Sequence, residues 1–245
     1  MVINNMNLRY FFIAIFPRYS MIFFVVCVSM AMYFYSGGIY HMVIETGGSS
    51  CPGSSCIDIN HHTKSYSFSK NFLSDLGRTI SHGGHNNFHS SLLFNMALSF
   101  GGITYILFYV YLGNLFRGNK IAMLGSITGV SGAICFIGVA FTPADLFLPP
   151  HIMFNLWIFR FFLIATICYS WIIYKSKRID NKYLIGNAIF IASLIFYILV
   201  LMFGPTPREP GGLEFQAISQ KFIMFNFLAS IIVQTLGFSK LLNNY

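Results

Sequence analysis

The chain has 245 residues, of which 56% are hydrophobic, 18% are aromatic and only 9% are charged. Soluble domains carry about 25% charged residues, so this composition excludes a water-soluble globular protein. The formal net charge of +8 comes from 15 Lys and Arg against 7 Asp and Glu. In a soluble chain such an excess suggests nucleic acid as a partner, but in a membrane protein the placement of the cations in the loops has to be examined first.

Six apolar segments are each long enough to cross a bilayer, since a hydrocarbon core of about 30 Å needs about 20 helical residues. They predict an all-α, polytopic membrane protein: a bundle of six transmembrane helices that forms a single membrane domain over residues 1–245. The predicted spans are residues 20–44, 88–112, 121–141, 151–174, 183–203 and 215–238, with a long outer loop over residues 45–87.

A short aromatic segment, Leu8 to Phe16, precedes the first span and is separated from it by Pro17 and Arg18. Its nine residues are too few to cross the bilayer, so it is predicted to lie at the membrane interface. A cleaved signal peptide is the competing interpretation. No small-x-small cleavage site follows the apolar segment, which favours a retained first span.

The positions of Lys and Arg in the flanks and short loops predict the orientation. Nine of them fall on the side of the two termini, and four fall on the opposite side. Because an excess of Lys and Arg marks the cytoplasmic side, both termini are predicted to be cytoplasmic. Topology accounts for most of the basic excess, so nucleic-acid binding is not expected and membrane lipids are the expected partners.

Acids, histidines and two cysteines are concentrated on the predicted outer side. Asp180 is the single acid of seven on the cytoplasmic side, and all seven histidines are outer. Any chemistry is therefore expected at the outer face. A simpler explanation of this distribution is that long outer loops hold more polar residues. Cys51 and Cys56 flank a Pro-Gly turn outside the spans and are predicted to form a disulfide in an oxidising compartment.

The segment before the second span contains the most distinctive pattern, Ser74-Asp75-Leu76-Gly77 followed by His82, His85 and His89. Three histidines at spacings of three and four would share one face of a helix and could bind a metal, with Asp75 as a further ligand. Two consecutive glycines after the first histidine argue against a helix. A hydrated loop is therefore the preferred interpretation, and the metal site is the alternative.

Arg160 is the most informative residue inside a predicted span. It lies nine positions beyond His151, about 13 Å along a helix, and therefore near the bilayer midplane. A buried cation in a membrane is costly and indicates a functional site by default. Arg160 is predicted to contact an acid, several carbonyl or amide oxygens, or an anionic ligand.

A second cation, Lys221, lies in the outer turns of the sixth span, near Gln216 and Gln220. Asn95 belongs to a polar stripe in the second span. Arg160, Lys221, Asn95 and Gln220 are predicted to lie at one level and to enclose a polar pocket in the outer half of the bundle. Structural ion pairing of the two cations with loop acids is the competing interpretation.

Four short sequence patterns lie in the spans or next to them. They are Ser74-Asp75-Leu76-Gly77, Phe94-Asn95 with Gly101-Gly102, Thr142-Pro143-Ala144-Asp145 with His151, and Gln216 to Lys221. Over about residues 20 to 240 the chain thereby resembles the bacterial and archaeal membrane family called domain of unknown function 998, and its Ser-Asp-x-Gly element is similar to DRAM-like membrane proteins. The resemblance implies six helices in a bacterial plasma membrane and no established reaction.

Two functions of different classes remain. The first is a membrane protein with an outward-facing polar cavity that binds or moves a lipid headgroup or another small amphipathic or anionic ligand. Its candidate ligand-binding residues are Ser74, Asp75, Asn95, Asp145, His151, Arg160, Gln216, Gln220 and Lys221.

The alternative function is a membrane-embedded lipid hydrolase, whose metal-dependent form would place Asp75, Asp145, His151 and His85 or His89 around a metal-bound water. It follows the logic of seven-helix ceramidase-type enzymes, but this chain has one helix fewer. We therefore prefer the binding function, and the sequence assigns neither a catalytic residue nor a cofactor.

Overall fold

A computed structural model describes residues 2–40, 63–176 and 182–243. Within these ranges the α-helices are α1 (Val2–Tyr10), α2 (Phe16–Phe34), α3 (Phe88–Leu115), α4 (Lys120–Phe141), α5 (Leu148–Ser176), α6 (Lys182–Phe203) and α7 (Gly212–Asn243). A π-helical turn, Phe11–Ile15, joins α1 to α2, and a 3-10 helix, Leu73–Gly77, precedes α3.

Six helical segments of the described chain are long and apolar enough to cross a membrane. They are Met6–Phe34, Phe88–Leu115, Lys120–Phe141, Leu148–Lys175, Lys182–Phe203 and Gly212–Leu242. The predicted all-α bundle of six spanning helices is therefore confirmed, and the five later spans begin and end within about one turn of the predicted residues. A chain of this kind is an integral membrane protein in contact with lipid.

The first span begins earlier than the sequence predicts. The segment from Leu8 to Phe16 belongs to the continuous helix Met6–Phe34 and does not form a separate interfacial piece. Pro17 does not interrupt this helix, because the π-helical turn ends just before it and Pro17 lies in the first turn of α2. In the π-helical turn the Phe16 N–H donates to the Phe11 carbonyl five residues earlier, and this wider turn accommodates the missing N–H of Pro17.

The first span also ends earlier, at Phe34 instead of residue 44. Tyr35 is extended, and Gly37 and Gly38 follow with φ values of 85° and 86°. A left-handed backbone is incompatible with a continuing α-helix, so the described residues after Phe34, 35–40, are not helical.

Close helix packing in the bundle depends on the small residues of α4. Gly129 lies directly against the ring of Tyr109 on α3, and Gly125 and Gly132 face Tyr169 and Phe162 on α5. A side chain at these glycines would displace the aromatic rings. These three glycines therefore bring α4 into close contact with both of its neighbours, α3 and α5.

The first and last helices meet at one end of the bundle. Arg18 donates from Nε to Thr235 Oγ1 at 2.9 Å and from Nη2 to Ser239 Oγ at 3.3 Å, and Ser239 donates to the Tyr10 hydroxyl at 3.2 Å. We call this the terminal end. The opposite end, covered by residues 63–87, is the capped end.

Candidate functional site at the capped end

Residues 63–87, the cap segment, are fastened to the bundle through the extended residues after α2. The N–H of Gly38 donates to the Thr63 carbonyl at 2.8 Å, and the N–H of Gly83 donates to the Gly37 carbonyl at 3.1 Å. A Cβ atom at Gly38 would overlap the backbone of Gly83. The contact is therefore made by bare backbone on both sides, which explains the glycines at these positions.

The Ser74-Asp75-Leu76-Gly77 pattern forms the 3-10 helix and packs directly on α3. A Cβ at Gly77 would lie 2.8 Å from the Phe94 ring and 3.1 Å from Asn95 Oδ1. Asn87 and Ser90 donate to the Leu76 carbonyl at 3.2 Å and 3.1 Å. Two of the four patterns found in the sequence, the one at Ser74 and the one at Phe94-Asn95, are thus in contact.

Asp75 forms a buried pair with His82. Asp75 Oδ1 lies 3.1 Å from His82 Nε2, and the two side chains are only 7% and 10% exposed, respectively. The other carboxylate oxygen accepts the Phe72 N–H at 2.8 Å and the Asn71 amide at 3.3 Å. The carboxylate is thereby fixed, and the His82 ring is oriented with Nε2 toward the acid.

Lys221 of α7 belongs to the same network. Its Nζ donates to the Asn71 carbonyl at 2.5 Å and to the Ala217 carbonyl at 3.1 Å, and it lies 5.5 Å and 5.2 Å from the rings of Tyr66 and Phe68. Since Asn71 also donates to Asp75, it links the buried ammonium to the buried carboxylate. Among the described residues Lys221 has no carboxylate within ion-pair distance.

The two glutamines of α7 have different partners. Gln220 Oε1 accepts the N–H of Leu73 at 2.6 Å and so ties the 3-10 helix to α7. Gln216 donates to the carbonyls of Val200 and Pro205 at 3.3 Å and 3.0 Å, which fastens the connection between α6 and α7. Gln220 therefore belongs to the capped-end network, whereas Gln216 stabilises a turn.

Asp145 holds the cap segment to the connection between α4 and α5. Its carboxylate accepts the Thr79 N–H at 3.1 Å, the Thr79 hydroxyl at 2.5 Å and the Ile80 N–H at 3.0 Å. Partial burial raises the pKa of Asp145, but these hydrogen bonds more than offset it, so the pKa lies below its ordinary value. With its acceptor sites engaged, Asp145 is a structural anchor.

His151 has one bonded and one unbonded ring nitrogen. Nδ1–H donates to the Thr142 carbonyl at 2.6 Å, whereas Nε2 is buried and has no hydrogen-bond partner among the described residues. One ring nitrogen of His151 is therefore an unused hydrogen-bond acceptor.

Arg160 lies apart from this network. It donates from Nη1 to the Leu156 carbonyl at 2.7 Å, and the Trp157 ring is 6.0 Å from its guanidinium carbon. A helical side chain leans toward the N-terminus of its helix, which brings Arg160 to the carbonyl one turn earlier. The pocket predicted around Arg160, Lys221, Asn95 and Gln220 is not assembled among the described residues, because Lys221 and Gln220 bond with the cap segment instead.

The three histidines of the predicted metal site do not converge. His82 lies on Asp75, while His85 is exposed and His89 packs its ring on Phe34 and Phe88. Within the described ranges no group of three His, Cys, Asp or Glu residues could hold a metal ion.

The other predicted residues lie in the cap segment, against it, or outside the described residues. Ser74 is half-buried within the 3-10 helix, and Asn95 is half-buried against Gly77. Cys51 and Cys56 lie outside the described residues, so their disulfide stays a prediction.

Sequence reasoning missed several uncharged residues that build the network, above all Asn71, Tyr35 and Tyr66. Tyr35 accepts the His82 N–H at 3.3 Å, and Tyr66 donates to the Asn71 carbonyl at 3.2 Å. Burial, and then the charge of Asp75, raise the pKa of both tyrosines, so their hydroxyls stay protonated. Tyr35 lies in a predicted span and Tyr66 and Asn71 lie in a predicted loop, so the sequence pattern did not mark them as a group.

Comparison with protein-family models, with curated proteins and with solved structures gives no significant match to this chain. The resemblance to the domain of unknown function 998 family therefore rests on the short sequence patterns alone and stays a prediction.

Proposed function

We propose that the protein binds the anionic headgroup of a membrane lipid or a similar amphipathic ligand at the capped end, with Lys221 as the principal contact. The observation that carries this proposal is a buried ammonium group in a spanning helix whose oxygen partners are two backbone carbonyls. Cations at such positions are expensive unless they are paired, and they mark functional sites.

The donor count at Lys221 leaves room for a ligand oxygen. An ammonium group has three N–H donors, and two of them are directed to Asn71 and Ala217. A phosphate or carboxylate oxygen would take the third and supply the missing negative charge.

The surroundings of Lys221 also favour access from the bilayer. Phe68, whose ring is 5.2 Å from the ammonium, is 62% exposed. Other exposed aromatic residues, among them Tyr33, Phe34 and Phe88, surround the same end of the bundle. Aromatic side chains concentrate at the level of lipid headgroups, so the capped end is suited to meet a headgroup there.

A hydrolytic function is favoured by one observation, the buried contact between Asp75 and His82. A carboxylate that fixes one imidazole nitrogen leaves the other, Nδ1, to act as a general base. The metal-dependent version with Asp145, His85 or His89 is not supported by their placement. Release of fatty acid from labelled lipid by the purified protein, lost in His82→Gln, would favour this alternative over binding alone.

The binding proposal is tested by measuring which lipids stay with the purified protein. We expect native mass spectrometry to show retained phosphatidylglycerol in preference to phosphatidylcholine, and we expect Lys221→Met to reduce that retention at least about fivefold. Lys175→Met is the matched control, because Lys175 also lies over an aromatic ring, Trp171, but in the last turn of α5 at the terminal end.

Two results would contradict the proposal. One is equal retention of both lipids by the wild-type protein, which needs no variant and is unaffected by misfolding. The other is unchanged phosphatidylglycerol retention in a Lys221→Met protein that keeps its thermal unfolding midpoint. Transfer of a fluorescent lipid between leaflets of proteoliposomes then separates binding from movement of the lipid.

A further inference from the structure

Three small cavities lie inside the bundle, away from the capped end. The first lies between α3, α5, α6 and α7 and includes Asn187 and Gln234; the second includes Gln234 and Tyr105; the third includes Tyr105 and Gly101. Their volumes are about 10, 10 and 20 Å³, respectively. One water molecule needs about 10 to 15 Å³ measured in this way, so each cavity has the size of a single water site or slightly more.

The cavities adjoin one another. Tyr109 and Gln234 line both the first and the second, and Pro17, Tyr105 and Phe227 line both the second and the third. Asn187 is five residues, about 8 Å, from the start of α6, whereas Gly101 is near the middle of α3. The series therefore leads from near the terminal end to the middle of the bundle.

Two polar atoms on this series have no partner within the described chain. They are the hydroxyl of Tyr105 and Oδ1 of Asn187. Both residues are buried, with exposed fractions of 8% and 2%, respectively. An unpaired polar group in a membrane interior costs several kcal/mol. Tyr105 lines the second and third cavities, and Asn187 lines the first, so both unpaired atoms belong to residues that border the available space.

Other polar groups in the cavity walls could complete the bonding of a water molecule. Thr166 and Ser230 donate to carbonyls of their own helices, which leaves their hydroxyl oxygens able to accept. Gln234 presents an amide to two of the cavities. A buried water normally makes about three hydrogen bonds, and these walls offer donors and acceptors of both kinds.

We infer that the three cavities bind a file of ordered water molecules that pairs the Tyr105 hydroxyl and the Asn187 amide oxygen. The file is a hydrated path from near the terminal end to the bundle middle. It is independent of the headgroup site, since the two share no residue.

Radiolytic labelling tests this inference, because X-rays generate hydroxyl radicals at bound waters and these oxidise nearby side chains. We expect mass spectrometry of the purified wild-type protein to show Tyr105 oxidised at least about fivefold faster than Tyr197. Tyr197 is also a buried tyrosine, 2% exposed, and it lines none of the three cavities. Equal oxidation rates would overturn the inference.

A substitution gives a second test, because the thermal unfolding midpoint should change in opposite directions with and without a water bound to Tyr105. If water pairs the Tyr105 hydroxyl, Tyr105→Phe removes a hydrogen bond and lowers the thermal unfolding midpoint by a few degrees. If the hydroxyl is unpaired, the same change removes a buried polar group and raises the midpoint, which would overturn the inference. Tyr169→Phe loses two hydrogen bonds, to Ser126 and Ala122, and so supplies an upper scale for the loss expected in Tyr105→Phe.

Discussion

At the scale of single residues, Gly38 is a position at the capped end where a side chain is not tolerated. Its φ of 86° disfavours any side chain, and a Cβ would also overlap Gly83. We predict that Gly38→Ala lowers the free energy of unfolding by about 3 kcal/mol or more, measured by SDS titration in mixed micelles.

Gly118→Ala separates these two causes. Gly118 has a φ of 89°, but a Cβ there would meet nothing within 4 Å. Backbone strain alone should cost about 1 kcal/mol at this site. Equal losses for the two variants would show that the contact with Gly83 contributes nothing.

The carboxyl group of Asp145 is expected to make the stability of the fold depend on pH. Because its pKa in the folded state lies below the ordinary value of 3.8, the carboxylate stabilises the fold above that value, and the contribution is lost as the pH falls through the folded-state pKa. We therefore predict that Asp145→Asn lowers the unfolding midpoint at pH 6 and that the difference from wild type narrows in strongly acidic buffer.

The hydroxyl of Thr79 allows a second test of the same hydrogen bonds. Thr79→Val removes the hydroxyl donor while keeping both N–H donors, so it should reproduce part of the loss at pH 6. A difference between wild type and Asp145→Asn that is constant from pH 6 down to pH 3 would show that ionisation of this carboxyl does not matter.

The candidate residues show which part of the capped end can be predicted from sequence. Asp75 and Lys221 stand out because a charge near an apolar span needs an explanation, and both are buried in the network. Arg160 carried the same signal but bonds only with its own helix among the described contacts. Burial cost indicates that a charge has partners, whereas the identity of the partners depends on how the cap segment folds.

At the scale of helices, the contact between the first and last spans depends on Arg18. Its guanidinium binds Thr235 and Ser239, and the Thr235 hydroxyl itself donates to carbonyls of its own helix. We predict that Arg18→Leu and Thr235→Val each lower stability and that a double-mutant cycle gives a coupling of about 1 kcal/mol.

Thr128 provides the control for this cycle. Its hydroxyl donates to the carbonyls of Leu124 and Gly125 within α4, with no contact to Arg18. Arg18→Leu combined with Thr128→Val should therefore be additive. A coupling near zero for Arg18 with Thr235 would indicate that this hydrogen bond does not stabilise the contact between the first and last helices.

At the scale of the whole molecule, the even number of spans places both ends of the described chain at one end of the bundle, where Tyr10 and Ser239 are in contact. Which side of the membrane this is rests on the nine-to-four distribution of Lys and Arg. We predict that alkaline phosphatase is inactive when fused to either terminus and active when inserted in residues 45–62. Activity of the terminal fusions would reverse the orientation.

The sequence by itself determined the fold class and five of the six spans, because about 20 consecutive apolar residues have one stable solution in a bilayer, a helix with its backbone internally bonded. It did not determine the ends of the first span, where a π-helical turn accommodates Pro17 and where the backbone leaves the helix at Tyr35, ahead of two left-handed glycines. Only the tertiary structure decided that Asp75 meets His82, that Lys221 meets Asn71, and that Arg160 meets neither. Hydropathy depends on each residue's own transfer energy, whereas these pairings depend on contacts between segments as many as 150 positions apart.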